Sequence, residues 1–548
     1  MPDKNPADPQ ASAKLDAEVR ELLALEQMPL LPRAAGYIKR TGPGLLQSAM
    51  TLGAGSAAAS VIAGASFGYK LLWVQPVAMF LGVLMLGALT NVVLTTGERP
   101  YKSFAREIGK WLVILWAVGT ITASVIWHFP QYGLAASAAR DMGEMAGVVS
   151  VPDEVIEARQ RLGDAQRTND PAAIKLAEEH VKQVTRSRTL LGLGFTQAGL
   201  ALSFGIGLAI LCINIITTFN YGGGSRGVRL YEWFLRGCIG LIIVMFGIVV
   251  VARIDVALAD IGEICKGFIG WYGIPNLWTV DGNLNTTTVT QVLGMLGAAV
   301  GINMTFLYPY SLLKKGWGTA HKKLACWDLG MTVFLPFSMV TSLVIIGMTV
   351  GGVYDGTDVV NTTIRPLDAA KALSGVVGEN AGRIIFNLGL IGMSCGAISA
   401  HMVVCGFTFC EMLGLEHTKA RFRMFALTPA IGLLGVAATL PIWFPVAASA
   451  ICFTMLPIAY LAFLIMNNNR SYIGDAVGRG LSRAVFNALL VVALLVATVG
   501  SALQINSRVI QPILKMRATA QPATPAAPRP PVEPVLPAQP IDPVEPER

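Results

Sequence analysis

The sequence predicts an all-α integral membrane protein with about eleven transmembrane helices. The prediction rests on the high content of hydrophobic residues, the low content of charged residues and the distribution of charge along the chain. Hydrophobic residues make up 53% of the 548 residues, charged residues make up 14%, and the mean hydropathy is +0.56. Soluble globular proteins carry about 25% charged residues. The stretches 71–94, 111–139 and 424–469 contain no charged residue. Each exceeds the roughly 20 apolar residues that cross a hydrocarbon core as a helix.

Eleven segments are apolar and long enough to be predicted as spans. The first is rich in Gly, Ala and Ser, and almost no loop separates the ninth from the tenth. The predicted spans are residues 44–67, 71–95, 111–137, 191–217, 230–252, 291–312, 327–351, 382–409, 424–442, 444–466 and 484–505. Because their number is odd, the two termini are predicted on opposite sides of the membrane.

Basic residues in the short loops predict the orientation of these spans. Loops after even-numbered spans are rich in lysine and arginine, as in residues 99–110, 314–323 and 470–483. Short loops after odd-numbered spans hold far fewer basic residues. Because basic loops remain in the cytoplasm, we expect a multi-pass protein of the cell membrane with a cytoplasmic N-terminus and an external C-terminus.

The segments outside the spans predict the organisation of the chain. We expect a cytoplasmic N-terminal arm, two repeats of five spans, an eleventh span and a Pro-rich disordered tail. A charged external insertion interrupts the first repeat, and its pattern predicts a helical hairpin that turns near residues 169–171. In chain order these parts are residues 1–41, 42–255 with the insertion at 141–190, 256–467, 468–510 and 511–548.

Composition and motifs exclude several classes of function. The net charge of +8 comes from loops beside the spans, so it predicts contact with a lipid bilayer and not with nucleic acid. The eight cysteines form no C-x-x-C pair, which predicts buried apolar thiols without a zinc site or disulfide framework. No P-loop, nucleophile elbow or zinc-protease motif is present, so we expect neither an enzyme nor a cofactor.

Small residues interrupt two spans at matching places. Residues 51–56 lie near the middle of the first span and residues 297–303 in the sixth, five spans later. In a membrane a broken helix is tolerated only where it lines a cavity, and transporters carry such breaks in corresponding halves. Small residues also permit close helix packing, but the matching positions favour a site. The predicted substrate-binding residues are Met50, Thr51, Gly53, Ala54, Gly55, Ser56, Ala298, Gly301 and Asn303.

The segments around these breaks resemble the Nramp family of divalent-metal transporters. The segment around the first span, from Gly42-Pro43-Gly44 through residue 69 and then residues 71–74, lines up with its family counterpart without a gap. Residues 293–308 and 456–474 are similar to the family's sixth span and to the end of its tenth. The resemblance covers roughly residues 40–505 outside the insertion. It implies a LeuT-type fold of 5+5 inverted repeats with broken helices 1 and 6, alternating access and proton-coupled metal transport.

The family's metal-site motifs are altered in this chain. Asp-Pro-Gly-Asn of the first span is replaced by residues 53–56, Gly-Ala-Gly-Ser, and Met-Pro-His of the sixth by residues 301–303, Gly-Ile-Asn. The aligned positions therefore lack the carboxylate, thioether and imidazole that hold transition metals. Ser56 and Asn303 remain as candidate metal ligands, and we expect no high-affinity Mn²⁺ or Fe²⁺ binding.

Three functions remain open for a site of neutral donors. A secondary transporter could carry a cation that keeps much of its water, as Mg²⁺ does, because Mg²⁺ dehydrates reluctantly. The substrate could instead be a small neutral or zwitterionic solute, since a buried cation without a counter-charge is costly. The fold could also serve as a non-transporting sensor or scaffold. We expect the cation transporter, and the resemblance implies that it is proton-coupled.

Three ionisable residues in or beside spans give further expectations. His128 and Gln131 align with the acidic residues of the family's third span, and the resemblance therefore implies that they form a proton path. An ionisable group inside a membrane is also a functional hypothesis in itself. His401 in the eighth span is expected to pack within the helix bundle. Asp328 opens the seventh span, where we expect an ordinary helix-start charge paired with Lys322 or Lys323.

Overall fold

The structure is a computed structural model, and within the residues it describes the regular secondary structure is helical apart from one isolated antiparallel bridge between Trp278 and Leu284. The described residues are 9–148, 153–168, 171–188, 197–221, 246–279, 281–354, 356–361, 378–437, 443–506, 510–511, and the individual residues Trp233, Gly237, Gly240, Ile243, Val244 and Ile364.

The first half of the chain contains the N-terminal arm, the insertion and the first spans. Its helices are α1 (Pro9–Glu26), α2 (Leu30–Ile38), α3 (Pro43–Thr51), α4 (Ala54–Phe67), α5 (Val74–Thr96), α6 (Pro100–Glu107), α7 (Lys110–Met145), α8 (Asp153–Thr168), α9 (Pro171–Arg188) and α10 (Gln197–Tyr221). Helices α8 and α9 pack against each other within the insertion. Residues 169–170 of the predicted turn and residues 512–548 of the predicted tail lie outside the described residues.

The second half contains the remaining spans. Its helices are α11 (Ile254–Ala259), α12 (Ile261–Phe268), α13 (Thr286–Ala299), α14 (Met304–Lys314), α15 (Lys322–Asp328), α16 (Leu335–Val350), α17 (Glu379–Met412), α18 (Lys419–Ala426), α19 (Trp443–Phe453), α20 (Leu456–Asn468), α21 (Arg470–Ile473) and α22 (Gly480–Ile505). A π-helical segment, Leu329–Phe334, joins α15 to α16, and a 3₁₀ segment, Thr428–Ala437, follows α18.

Ten apolar elements of the described chain are long enough to cross a membrane. Nine are single candidate spans, and the tenth is the pair α3 and α4, which is bent by 49° at its break. These ten correspond to predicted spans 1–4 and 6–11. About half of predicted span 5, residues 230–252, lies outside the described residues. The all-helical membrane architecture expected from the sequence is therefore confirmed.

Both predicted breaks are present. The first span stops being helical after Thr51 and resumes at Ala54, and the sixth stops after Ala299 and resumes at Met304. At the second break Val300 is fully extended, with φ −143° and ψ 118°. At each break, the last carbonyls of the helix before it and the first N–H groups of the helix after it have no hydrogen-bond partners within their own helix.

Further irregularities in the later spans were not predicted. The seventh span contains the π-helical segment, the ninth ends in ten residues of 3₁₀ helix, and the tenth is interrupted at residues 454–455 between α19 and α20. Long 3₁₀ runs are uncommon, because their hydrogen-bond geometry is poorer than that of the α-helix. The three irregular segments have the same apolar composition as the regular spans, so no local signal in the sequence distinguishes them.

The expected pairing of Asp328 with lysine is wrong. Its carboxylate is fully buried and accepts hydrogen bonds from the backbone N–H groups of Gly42 and Gly44, each at 2.7 Å. The hydroxyl of Tyr308 donates to the same carboxylate at 3.0 Å. The reason is geometric. The backbone N–H groups at the start of α3 have no partner within their helix, and the Asp328 carboxylate accepts hydrogen bonds from them instead of pairing with a lysine.

Candidate substrate site

The two breaks lie side by side and enclose one cavity inside the helix bundle. Eight of the nine predicted substrate residues line it, together with Gln131 of α7. The ninth, Ala54, begins helix α4 at the edge of the first break. The empty volume of the cavity is about 270 Å³, but much of this is crevice between side chains, and the clear space is that of about one water molecule.

The break in the first span is shaped by glycines that approach neighbouring helices closely. A Cβ atom on Gly55 would lie 1.9 Å from the ring of Trp127, and one on Gly53 would lie 2.8 Å from Nε2 of Gln131. Ser56, the first polar side chain after the break, donates a hydrogen bond from Oγ to the carbonyl of Gly53 at 3.0 Å. Small residues at this place therefore let the third span reach the broken backbone.

The break in the sixth span is closed by its own side chains. The N–H of Gly301 points to Sδ of Met304 at 3.4 Å, and a Cβ atom on Gly301 would lie 2.6 Å from Oδ1 of Asn303. The indole of Trp116 donates to Thr305 at 2.6 Å, which fixes the start of α14 against the third span. Asn303 is 1% exposed, so its amide must find partners inside the bundle.

The residues that line the cavity offer mostly neutral oxygen ligands. Met50 and Thr51 belong to the last turn of α3 and Ala298 to the last turn of α13, where carbonyls have no acceptor role within the helix. Helix C-termini also carry partial negative charge, which favours a cation. Ser56 and Asn303 add a hydroxyl and an amide from the two breaks.

Sequence reasoning missed one side chain of the cavity that can act as a strong metal ligand. His401 of α17 lines it and is 2% exposed, and its Nδ1 lies 2.9 Å from Nδ2 of Asn303. The thioether residue Met304 also lines the cavity. The aligned motif positions lack imidazole and thioether as predicted, but the cavity as a whole contains both. The signal for His401 in the sequence is that it is an ionisable residue within a span. The expectation that His401 packs within the helix bundle did not include its place in the wall of the cavity.

His128 lies behind His401 and does not line the cavity. The two imidazole rings meet edge to face, with centroids 5.4 Å apart and planes at 61°. Nδ1 of His128 lies 2.8 Å from the carbonyl oxygen of Ser124, so this nitrogen carries the proton and donates. His128 is fully buried, and the 3₁₀ segment packs on it at Gly432, where a Cβ atom would lie 2.2 Å from the His128 Cβ.

The cavity has no fixed charge among the residues that the structure describes. None of its lining residues is Asp, Glu, Lys or Arg. In the same part of the chain no three His, Cys, Asp or Glu residues come together in a geometry that could hold a metal ion. A cation in this cavity would therefore be bound by neutral oxygens, by the thioether of Met304 and by at most one imidazole.

Comparison with known proteins gives a family and a fold. The family model described as natural resistance-associated macrophage protein-like (Nramp) matches residues 188–503, more than half of the chain. Among curated protein sequences, none matches. Solved structures of a manganese transporter from Eremococcus coleocola are similar to this chain, one of them in complex with an aromatic bis-isothiourea substituted compound.

The structural similarity extends over most of both chains. The complex with the bis-isothiourea compound has a TM-score of 0.55 at 13% sequence identity and covers 87% of this chain and 90% of that one. A mutant of the same transporter gives 0.56 at 14% identity and covers 89% and 90%. At such identities the similarity shows the fold, and it confirms the LeuT-type arrangement with two broken helices that the family resemblance implied.

Proposed function

The chain belongs to the Nramp family of secondary metal-ion transporters, and we propose that it moves a small cation by alternating access through the cavity between its two broken spans. One observation carries the proposal. Eight of nine residues chosen from small-residue interruptions in two halves of the chain line a single cavity. Broken helices that enclose a cavity near mid-membrane are the usual substrate site of inverted-repeat transporters.

The donor set supports a cation held by neutral groups. Carbonyls from the ends of α3 and α13, the Ser56 hydroxyl and the Asn303 amide offer oxygen ligands, with Ser56 and Asn303 as the side chains that contact the ion. Because no carboxylate of the described residues lines the cavity, burying the positive charge is costly. We therefore expect weaker binding than a site with an acidic ligand would give.

Proton coupling is a second part of the proposal, with His128 and Gln131 as its residues. Gln131 lines the cavity, and His128 reaches it through the ring of His401. Both are buried on α7, which packs along α17. Uptake of the cation into liposomes that contain a pH-sensitive dye tests the coupling. Cation flux without any change in internal pH would show that the transport is not proton-coupled.

The test of the function is flux in proteoliposomes. The full chain is reconstituted and initial uptake is measured for Mg²⁺, Mn²⁺, Co²⁺ and Zn²⁺, with protein-free liposomes as the background. We expect saturable uptake of at least one cation. Uptake of amino-acid-like solutes without any cation flux would show that the substrate is a small solute and not a cation. If neither cations nor solutes are taken up, the chain is a non-transporting member of its fold.

A further inference from the structure

We infer that His401 is a direct ligand of the transported cation, and that the Asn303–His401 pair selects divalent cations that accept a nitrogen ligand, such as Co²⁺ and Zn²⁺, over Mg²⁺ and Mn²⁺. The inference rests on the proposed function, because it concerns the cation that the cavity carries. It adds the eighth span to a site that the sequence placed in the first and sixth spans only. The substrate class follows from the chemistry of this added donor.

The hydrogen bond between the two residues defines which nitrogen of His401 is available. Nδ2 of Asn303 lies 2.9 Å from Nδ1 of His401. An amide nitrogen can only donate, so Nδ1 accepts through its lone pair and the ring proton is on Nε2. A metal ion requires such a lone pair. The imidazole therefore presents a ligand nitrogen toward the break in the sixth span.

The amide of Asn303 supplies a matching oxygen. In the present arrangement its Oδ1 faces Gly301, where a Cβ atom would lie 2.6 Å away. A half turn of the amide exchanges its oxygen and nitrogen, and brings Oδ1 against Nδ1 of His401. Two acceptors repel each other unless a cation lies between them. A cation entering the cavity can thus replace the amide hydrogen bond and be held by one oxygen and one nitrogen from different spans.

The absence of fixed charge decides which cations benefit from this pair. Carboxylate, carbonyl and water ligands suit Mg²⁺, Ca²⁺ and Mn²⁺, whereas imidazole suits later first-row metals and Zn²⁺. No carboxylate lines the cavity among the described residues. The hard cations lose their strongest ligand, while Co²⁺ and Zn²⁺ retain the imidazole of His401. The neutral site therefore favours the softer group.

The size of the cavity acts in the same direction. Its clear space is that of about one water molecule. A fully hydrated divalent cation carries about six waters, more than the clear space of this conformation admits. The occupant must exchange most of its water for protein ligands. Mg²⁺ does so reluctantly, and the expectation of a largely hydrated Mg²⁺-like cargo is accordingly disfavoured.

Metal binding to the purified full chain tests the inference. Affinities for Co²⁺, Zn²⁺, Mg²⁺ and Mn²⁺ are measured by calorimetry for wild type, His401→Gln and the control His321→Gln, and the visible absorption of bound Co²⁺ is recorded. His321 is equally buried but stacks on Trp317, away from the cavity. We expect His401→Gln to weaken Co²⁺ and Zn²⁺ binding about tenfold or more, and to change the Co²⁺ spectrum. Mg²⁺ binding and the control should stay within about twofold of wild type.

A second variant keeps the inference testable if His401→Gln does not fold. Asn303→Asp has nearly the same shape and adds a carboxylate beside His401, so Mg²⁺ and Mn²⁺ binding should strengthen relative to Co²⁺. Unchanged Co²⁺ affinity and spectrum in folded His401→Gln, or unchanged relative affinities in Asn303→Asp, would overturn the inference. Cation flux by the wild type would still leave the proposed function standing. A wild type that neither binds nor transports any of the cations contradicts both.

Discussion

The carboxylate of Asp328 caps the start of the first span by accepting the backbone N–H of Gly44 at 2.7 Å, across 284 positions of the chain. Pro43 occupies the first turn of α3 and has no N–H, so Asp328 binds the N–H groups on either side of it. A Cβ atom on Gly44 would lie 2.1 Å from Oγ1 of Thr332, which explains the glycine. The half-helix that ends at the cavity is thereby anchored to the seventh span.

Asp328→Asn should loosen helix α3. An amide can accept one of the two backbone bonds but presents its NH₂ to the other, and a charge-assisted hydrogen bond contributes about 1.5–3 kcal/mol. We expect a lower unfolding midpoint and faster thiol labelling of Ser48→Cys, a buried position on α3, in a cysteine-free background. Asp475→Asn is the matched control, because that side chain is 89% exposed. Equal labelling rates in both variants would show that Asp328 does not hold the helix.

Gly53→Leu should abolish cation flux. The added side chain would begin 2.8 Å from Nε2 of Gln131 and 3.0 Å from Cβ of Ala397, and it would fill the break between α3 and α4. Gly87→Leu is the size-matched control, since no heavy atom lies within 4 Å of a Cβ at Gly87. Initial uptake rates in proteoliposomes decide the question. Wild-type kinetics in Gly53→Leu would mean that the cation passes elsewhere.

Asn303→Ala and Ser56→Ala should each weaken the apparent affinity for the best-transported cation. Each removes one polar ligand, and one lost interaction of about 1 kcal/mol corresponds to about fivefold in affinity. Uptake rate against cation concentration is the measurement. The packing variants Ile302→Val and Ala57→Gly, which remove no polar group, should leave the affinity nearly unchanged. Equal effects in all four variants would indicate a general loss of packing instead.

The N-terminus should be cytoplasmic and the C-terminal tail external. Lys323, in a loop predicted to be cytoplasmic, forms an ion pair at 2.7 Å with Glu26 of the N-terminal arm, so the arm and this loop share one side. In a cysteine-free background, a membrane-impermeant thiol reagent applied to intact cells should label Pro530→Cys and spare Gln10→Cys. Permeabilised cells, in which both positions should react, are the control. The opposite labelling in intact cells would invert the orientation.

The sequence by itself determined the features that depend on short stretches of chain. Ten predicted spans correspond to apolar elements of the structure, because apolar length is a local property. The two breaks could also be predicted from the sequence, because small residues such as Gly53 and Gly301 interrupt apolar runs. The family resemblance agreed with the family model over residues 188–503. The functional roles of the residues around the breaks stay predictions.

Only the tertiary structure decided which side chains meet. His401 lies 98 positions from Asn303, and Asp328 lies 284 from Gly44, yet each pair is within hydrogen-bond distance. Such contacts depend on the rotation and depth of whole helices in the bundle, and an apolar span carries no local pattern that fixes either. The same is true of the 3₁₀ segment that packs on His128. The physical reason is that hydrophobicity places a helix in the membrane, whereas packing against its neighbours sets the direction in which its few polar groups point.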